Sequence, residues 1–581
     1  MTKEITKIGI IGAGATGLTQ LQQLLEIWET RKEVNEKSIL KVKVFETKHE
    51  VGGVWLIDDQ PKESIRTHIQ PSSSSSSKPH EEQQDRIEQA YSYPPEGQNP
   101  SPMYEGLRTN LPKDLMAFRN FPFPDETPLF PEQALIQRYL ESYATHYDLR
   151  KHIKFSTRVE RVYLTSQGEE TESGSSGRRW TIESHDLKND EIEKEEYDYV
   201  VPSNGHYCDG WIPPIRGLSS FPGEIIHSRF YHRASDYIGK TVLVVGSFAS
   251  GGDISRLLAT ENVGKFDSNG EPLNGYSKND FINIYMSSSG SVKYINTENN
   301  EWGKYINQIS LISHVSSPSK DNEKGIIHLK EDKENQEQNG WNKDGLELNN
   351  IDIIIFATGY NYMYPFFKSQ DKPWSDHKIT ETEIKEKERQ KGDQWEINGL
   401  KGQALTELDD LLLFLKGDRT IAFPVMTYNT VPFPLAQIQA RLTAYLWAGL
   451  LDDLPERIKL PPHPNNPYFN SHSDSDSSDQ NDNSRIIEQD DKGTVDPPHQ
   501  PTTTQEKETK SKPRERQVLA KVKKLYFGPH YEFVYADFLS SIMTDSDKKH
   551  NVETSENWKS VEDWRRRRRE DTDLRKRTLG Y

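Results

Sequence analysis

Apolar and polar positions in the first fifty residues follow two successive rhythms. Ile8 to Ile11 form a short apolar run of strand character, LTQLQQLLEIW carries helical spacing, and LKVKVFE alternates with period two. Together they predict a βαβ unit. After Gly52-Gly53-Val54-Trp55 the rhythm lapses into a polar tract holding Ser72 to Ser77 and YSYPPEGQNPSP, which reads as a flexible insertion over 60–100. Order resumes at Tyr104. PEQALIQRYLESYATHY has helical spacing, KFSTRVERVYL and RWTIES read as a hairpin, and EEYDYVVPSNGHY closes a first block. A second βαβ-like unit begins at Thr241 with TVLVVGSFASGGDISRLL, and INIYMSS supplies its second strand. DIIIFATGY restores a strongly apolar strand after polar tracts between Asp321 and Asn350. Residues 461–515, rich in Ser, Asp, Asn, Pro and Thr, bury too little apolar surface to offset ordering entropy and read as disordered. A helical segment over 516–581 follows. Its run Arg565 to Arg569 sits among acidic residues and reads as a solvated helix face.

The turns between these strands and helices carry the candidate chemistry. Gly12-Ala13-Gly14-Ala15-Thr16-Gly17 follows a predicted strand and opens a helix. In that context Gly12 permits the tight turn, Gly14 lets a pyrophosphate approach the backbone, and Gly17 allows close packing of helix on strand. Glu46 ends the second strand and can accept from a ribose hydroxyl, while Gly53 and Trp55 bring a permissive backbone and a large ring to the same nucleotide. The second turn, Gly246-Ser247-Phe248-Ala249-Ser250-Gly251, has Phe248 where the middle glycine belongs. Its place between VLVV and ISRLL still marks a nucleotide-binding turn, and Ser250 can donate to phosphate. At the next strand end, Tyr285 to Ser289 offer neither an acid for an NAD ribose nor an arginine for an NADP phosphate.

Composition narrows the class. Only 33% of 581 residues are hydrophobic and the net charge is -17, which argues against nucleic-acid binding through a basic surface. The single cysteine, Cys208, excludes an internal disulfide, a CxxC redox pair and a cysteine zinc site, so no metal is expected and a flavin disulfide reductase is disfavoured. Cys208 itself reads as an inert buried thiol. The opening residues lack the pattern of a signal peptide, and LTAYLWAGLLDDL is too short to span a bilayer. A cytoplasmic protein is expected, or one on the cytosolic face of the endoplasmic reticulum, with at most peripheral membrane association; homo-oligomer formation is left open.

Set together, these motifs resemble the flavin-containing monooxygenases, particularly the fungal type that acts on thiols. FPGEIIHSRFY resembles the family's identifying pattern through Phe221, Gly223, His227 and Tyr231. FATGY matches through Thr358 and Gly359, and YEGLRTN matches the Leu-x-Thr-Asn element through Thr109 and Asn110. The resemblance implies an α/β fold of two Rossmann-like domains, an FAD domain with an inserted NADPH domain. It divides the chain into 1–210 and 351–460 for FAD, 211–350 for NADPH, a disordered insertion over 461–515, and 516–581 as a C-terminal segment. It implies FAD and NADPH as cofactors, dioxygen and a small nucleophile as reactants, and a C4a-hydroperoxyflavin that oxygenates thiols, sulfides or amines. Asn110 becomes the catalytic candidate beside the flavin, Val159 and Ser287 join the cofactor-binding positions, and His227 braces the nucleotide domain. A Baeyer-Villiger monooxygenase and a non-catalytic nucleotide-binding protein stay open as alternatives, though Tyr231 stands where the former carries tryptophan.

Overall fold

The computed structural model describes residues 3–57, 101–165, 180–289, 300–381, 400–464 and 525–579, with short breaks at 32–33, 35, 268, 274, 320–322, 334–341, 343–344, 378, 403, 452–453, 456 and 572. The insertion expected over 60–100 and nearly all of that expected over 461–515 lie outside the described residues.

Strand β1 (Glu4–Ile11), helix α1 (Ala15–Thr30) and strand β2 (Ser38–Phe45) build the expected βαβ unit, with β1 and β2 parallel and paired from Glu4↔Ser38 to Ile11↔Phe45. Helix α2 (Gln133–His146) leads into the edge strand β3 (Ile153–Lys154). An antiparallel ribbon follows, β4 (Thr157–Leu164), β5 (Trp180–Asp186) and β6 (Glu191–Tyr197), and the chain re-enters beside β1 as β7 (Tyr199–Pro202).

The second unit is wound the same way. Its strands are β8 (Glu224–His227), β9 (Thr241–Val245), β10 (Asn283–Ser287), β11 (Ile306–Ile309) and β12 (Ile353–Phe356), with helix α3 (Ala249–Thr260) between β9 and β10. All five strands are parallel in the order β11-β10-β9-β12-β8. TVLVV is unbroken by polar residues because both faces of β9 are covered. Val242 and Val244 pack into one core with Ile284 and Met286, whereas Leu243 and Val245 pack into another with Ile354 and Phe356.

The chain then returns to the first sheet through β13 (Tyr360–Tyr364), β14 (Phe414–Leu415) and β15 (Asp418–Ala422), completing the order β14-β15-β7-β1-β2-β3. The return was expected at residue 351, but Ile353–Phe356 hydrogen-bonds within the second sheet, so it falls after Phe356. Helix α4 (Pro432–Trp447) packs on α1, where the Gln20 amide reaches the Ala440 carbonyl and Arg441 pairs with Glu26.

Helices α5 (Gly528–Lys549), α6 (Asp563–Glu570) and α7 (Leu574–Leu579) complete the described chain. The arginine run on α6 corrects the solvated-face expectation. Arg565 is only 6% exposed and donates to the carbonyls of Asp114, Leu115 and Ala117, at 3.2, 3.0 and 3.4 Å, at the end of the short helix Lys113–Met116. Arg568 bonds the Asp114 carboxylate at 2.8 Å, Arg566 pairs with Asp537, and Arg569 reaches the buried Glu532 at 2.9 Å. Burial pushes the Glu532 carboxyl up to about 7, against the pull of Arg569 and the Val431 N–H.

Candidate functional site

The two glycine turns are near copies of one another. Gly12 and Gly246 sit at φ +101° and +104°, a region that disfavours any side chain, and a Cβ on either would lie 2.5 Å from a carbonyl of the neighbouring strand's exit, Ser203 or Ala357. Five residues on, a Cβ on Gly17 or Gly251 would stand 1.9 Å from the carbonyl of Gly12 or Gly246, so each glycine holds its helix against its own turn.

Phe248 removes less than its identity suggests. Its backbone, φ −72° and ψ −164°, matches that of Gly14, φ −74° and ψ −174°, and is ordinary extended chain. The difference lies in the neighbours. A Cβ on Gly14 would meet the Gly53 Cα at 3.5 Å, because the Gly52-Gly53-Val54-Trp55 segment folds over the first turn. Phe248 itself is 58% exposed.

Both helices that leave these turns start without a capping side chain and without an acid in the first turn. Their first N–H groups and positive dipole ends are therefore set for an anion, which fits the pyrophosphate of a dinucleotide. Glu46 is held rigidly at the end of β2. Its Oε2 accepts from the Ala13 N–H at 2.7 Å and its Oε1 from the Lys48 N–H at 2.8 Å, which fixes the carboxylate against the first glycine turn. Trp55 packs on the edge of the first core, and Val159 is buried in β4.

At the second site one expected contact is corrected. The Ser287 hydroxyl is fully buried and donates to the Ser310 carbonyl at 2.9 Å, so it is already committed within the fold and does not face a phosphate. Ser250 lies in the first turn of α3.

Asn110 is exposed on the segment that crosses from one unit to the other. On one side of it the Tyr104 hydroxyl bonds Asp253 of α3 at 3.0 Å, and Gly106 lies close against Leu257 of the same helix. On the other side the Thr109 N–H donates to Pro131 at 3.0 Å, and Lys113–Met116 belongs to the first unit. Burial and the Asp253 carboxylate raise the Tyr104 hydroxyl well above its ordinary value, so it stays a donor. Arg256 pairs with Asp253 at 2.9 Å, and Arg575 of α7 approaches to 3.6 Å.

FPGEIIHSRFY is packed into the second unit. Phe221 is buried in a core of the second unit, and a Cβ on Gly223 would meet the Asp352 carbonyl at 2.4 Å. His227 is completely buried at the end of β8. Its Nε2 donates to the Gly359 carbonyl at 2.9 Å and its Nδ1 accepts from the Arg229 N–H at 3.2 Å. Burial drops its pKa to about 3. The ring is neutral with both nitrogens engaged by backbone, and Thr358 likewise donates to the Trp211 carbonyl. Tyr231, fully buried, meets the Tyr104 ring edge-on at 5.4 Å. Cys208, expected to be buried, is only half-buried.

Sequence reasoning missed the loop that follows β7. Among the described residues it carries three buried polar atoms without a hydrogen-bond partner, Ser203 Oγ, Asn204 Oδ1 and His206 Nδ1. Orphaned polar atoms at the carboxyl ends of the strands, beside a glycine turn, are what a bound dinucleotide would satisfy. The residues present therefore fit the cofactor.

A mostly parallel sheet and a fully parallel one, each with a glycine turn and an uncapped helix, define an α/β protein of two Rossmann-like units. The family model described as flavin-binding monooxygenase-like matches residues 90–266. Flavin-containing monooxygenase FMO GS-OX-like 4 of Arabidopsis thaliana is 28% identical over 372 residues, covering 62% of this chain and 64% of that protein. Human flavin-containing monooxygenase 3 is 26% identical over 390 residues, covering 62% and 63%. The chain thus spans a little under two thirds of the length of these curated relatives. Among solved structures, S-allyl-L-cysteine S-oxygenase from Allium sativum shares the fold with a TM-score of 0.58 at 19% identity, over 99% of this chain and 94% of that one. Tmm from Pelagibacter sp. strain HTCC7211 gives 0.51 at 19%, over 78% of each. Residues 90–266 thus match the flavin-binding monooxygenase-like family model, and the chain is similar to flavin-containing monooxygenases over about three fifths of its length. Among the described residues no helix is long and apolar enough to cross a membrane.

Proposed function

We propose that the protein is an FAD-dependent monooxygenase that uses NADPH and dioxygen to oxygenate a soft nucleophile, a thiol, sulfide or amine, leaving NADP⁺ and water. The observation that carries this reading is the matched pair of glycine turns, each at the carboxyl end of the parallel strands of its own sheet and joined by the segment that bears Asn110. Bound flavin supplies the redox and oxygen chemistry, which side chains of this composition cannot. The chain's own residues position and exclude.

The N-terminus of α1, Glu46 and the Gly53–Trp55 segment hold FAD. The N-terminus of α3 with Ser250 holds NADPH, and the boundary between the two units falls near residue 211 and again after Phe356. Asn110, tied through Tyr104 to α3 and through Thr109 to the first unit, presents one amide donor and one acceptor between the two nucleotides. His227 transfers no proton, since both of its nitrogens are spent on backbone.

The test is NADPH oxidation followed with oxygen uptake and hydrogen peroxide release, with and without a thiol or a tertiary amine. Oxygenated product in step with NADPH supports the reading; peroxide release unaffected by every nucleophile sinks it. Asn110→Ala should leave FAD binding intact and lower product formation about 10–100-fold, the worth of one or two hydrogen bonds of about 1–3 kcal/mol in total.

A further inference from the structure

The loop after β7 holds two acceptors whose orientation the fold leaves no freedom to change. Ser203 N–H donates to the Ile11 carbonyl at 2.8 Å, which lays the loop directly on the first glycine turn. The next side chain, Asn204, sends its Nδ2 to the Met363 carbonyl at 2.8 Å. A carbonyl only accepts, so the amide cannot be the other way round, and Oδ1 is the buried atom left without a partner.

His206 is fixed by the same logic. The Val425 carbonyl favours a proton on the ring nitrogen it faces, and since Nδ1 has no hydrogen-bond partner that nitrogen is Nε2. Nδ1 is then a bare lone pair in a buried position. Burial lowers the ring's pKa to about 4, so it remains neutral at pH 7. The edge-on ring of Tyr362 at 5.1 Å holds it from the side, with the Tyr362 hydroxyl anchored on the Met426 carbonyl at 2.7 Å.

The aim of the Val425 carbonyl is itself costly. Val425 sits at φ +60°, where a β-branched residue is strained by about 1–3 kcal/mol. Its N–H is held by the Gln439 side chain of α4 at 2.8 Å.

Two buried acceptors of fixed direction beside one turn require a ligand that brings donors. A phosphate or carboxylate does not; a neutral O–H or N–H does. FAD carries both kinds, in the ribityl hydroxyls and in the imide N–H of its ring. We infer that Asn204 Oδ1 and His206 Nδ1 form an acceptor pair that receives O–H or N–H donors of the FAD bound at the first turn. The inference rests on the flavoprotein reading above and adds two positioning residues to it.

The experiment is a chemical double-mutant cycle on the full chain, stripped of flavin, with dissociation constants read from quenching of flavin fluorescence. The ligands are FAD, N3-methyl-FAD, and FAD analogues lacking one ribityl hydroxyl. The proteins are wild type, Asn204→Leu and His206→Phe, which keep shape and remove the acceptor. At least one analogue should bind wild type about 5–20-fold more weakly than FAD, and should lose that penalty in Asn204→Leu or His206→Phe. Loss of the N3-methyl penalty locates the pair at the ring; loss of a deoxy penalty locates it at the ribityl chain. Penalties that persist undiminished in both variants, or FAD affinity unchanged in both, overturn the pair. If His206→Phe does not fold, Asn204→Leu and the wild-type analogue series decide alone. Wild type that binds FAD with fully additive effects removes only this inference, whereas wild type that binds no FAD removes the flavoprotein reading with it.

Discussion

His227→Ala tests whether the FPGEIIHSRFY motif works as a brace. The imidazole is completely buried between the Gly359 carbonyl and the Arg229 N–H, and it lies flat on Gly210, where a Cβ would come within 2.5 Å of the ring. Removing it leaves the Arg229 amide buried without this partner, at about 1–3 kcal/mol. The Gly359 carbonyl keeps the Trp211 N–H at 2.9 Å, so its loss sits at the low end of that range. A cavity of roughly one ring adds about 1–2 kcal/mol, giving about 3–6 kcal/mol in all. The pH dependence gives an independent handle. A folded pKa of about 3, below the ordinary 6.5, means that the histidine's contribution is complete above pH 6.5 and is lost as pH falls towards 3. Between pH 7.5 and 5.0 wild type should lose about 2 kcal/mol locally, and His227→Ala should not. Hydrogen exchange of the Arg229 and Trp211 amides reads this without requiring a multidomain chain to unfold in one step. The variant should exchange faster at both, and His227→Asn should recover part of the protection through its side-chain acceptor. Wild-type protection in His227→Ala, accompanied by a collapse of turnover and a shifted pH profile, would show a proton carrier and refute the bracing argument.

Gly251→Ala places a methyl 1.9 Å from the Gly246 carbonyl and should abolish nicotinamide nucleotide binding, whereas Phe248→Gly should change the affinity less than about threefold because its backbone is already extended; titration calorimetry distinguishes them, and equal effects would refute the comparison of the two turns. Arg565→Ala strips the buried donor from three carbonyls and should raise proteolytic nicking and hydrogen exchange over 111–117 by about tenfold or more, while a change confined to α6 would count against the clamp. Glu532, with its carboxyl raised to about 7 from 4.5, contributes stability that is complete below pH 4.5 and lost as pH rises through 7. Glu532→Gln should flatten that slope in thermal melts, and an unchanged slope would place the titration elsewhere.

The sequence makes elements legible more readily than their partners. Gly12, Gly17, Gly246 and Gly251 are readable because each demand is local, a positive φ or a carbonyl five residues away. Ile353–Phe356 is equally readable as a strand, yet a wholly apolar run looks the same in either sheet, and only pairing with β9 and β8 assigns it to the second. Ser287 sits at the strand end that the pattern predicts, but its hydroxyl is taken by Ser310, a partner no spacing rule announces. The arginine run shows the same limit most sharply. Five arginines among acids read as solvated because their receptors, the Asp114 to Ala117 carbonyls and Glu532, are distant in sequence. Asn204 and His206 were hidden in SNGHY for a different reason. An orphaned acceptor exists only once the fold has fixed which atom faces inward.

The arginine clamp also orders events in time. Ala117 and Arg565 lie 448 residues apart, which is roughly 20–90 s of synthesis at 5–20 residues per second. For that interval the strands that frame the first glycine turn can assemble while the 111–117 segment beside Asn110 waits for its last support. A nascent chain is therefore expected to acquire its nucleotide-binding turns well before the loop between them becomes rigid, so that a prematurely ended chain would bind cofactor yet hold Asn110 loosely. Completion of translation, rather than cofactor capture, sets the moment at which the cleft becomes exacting.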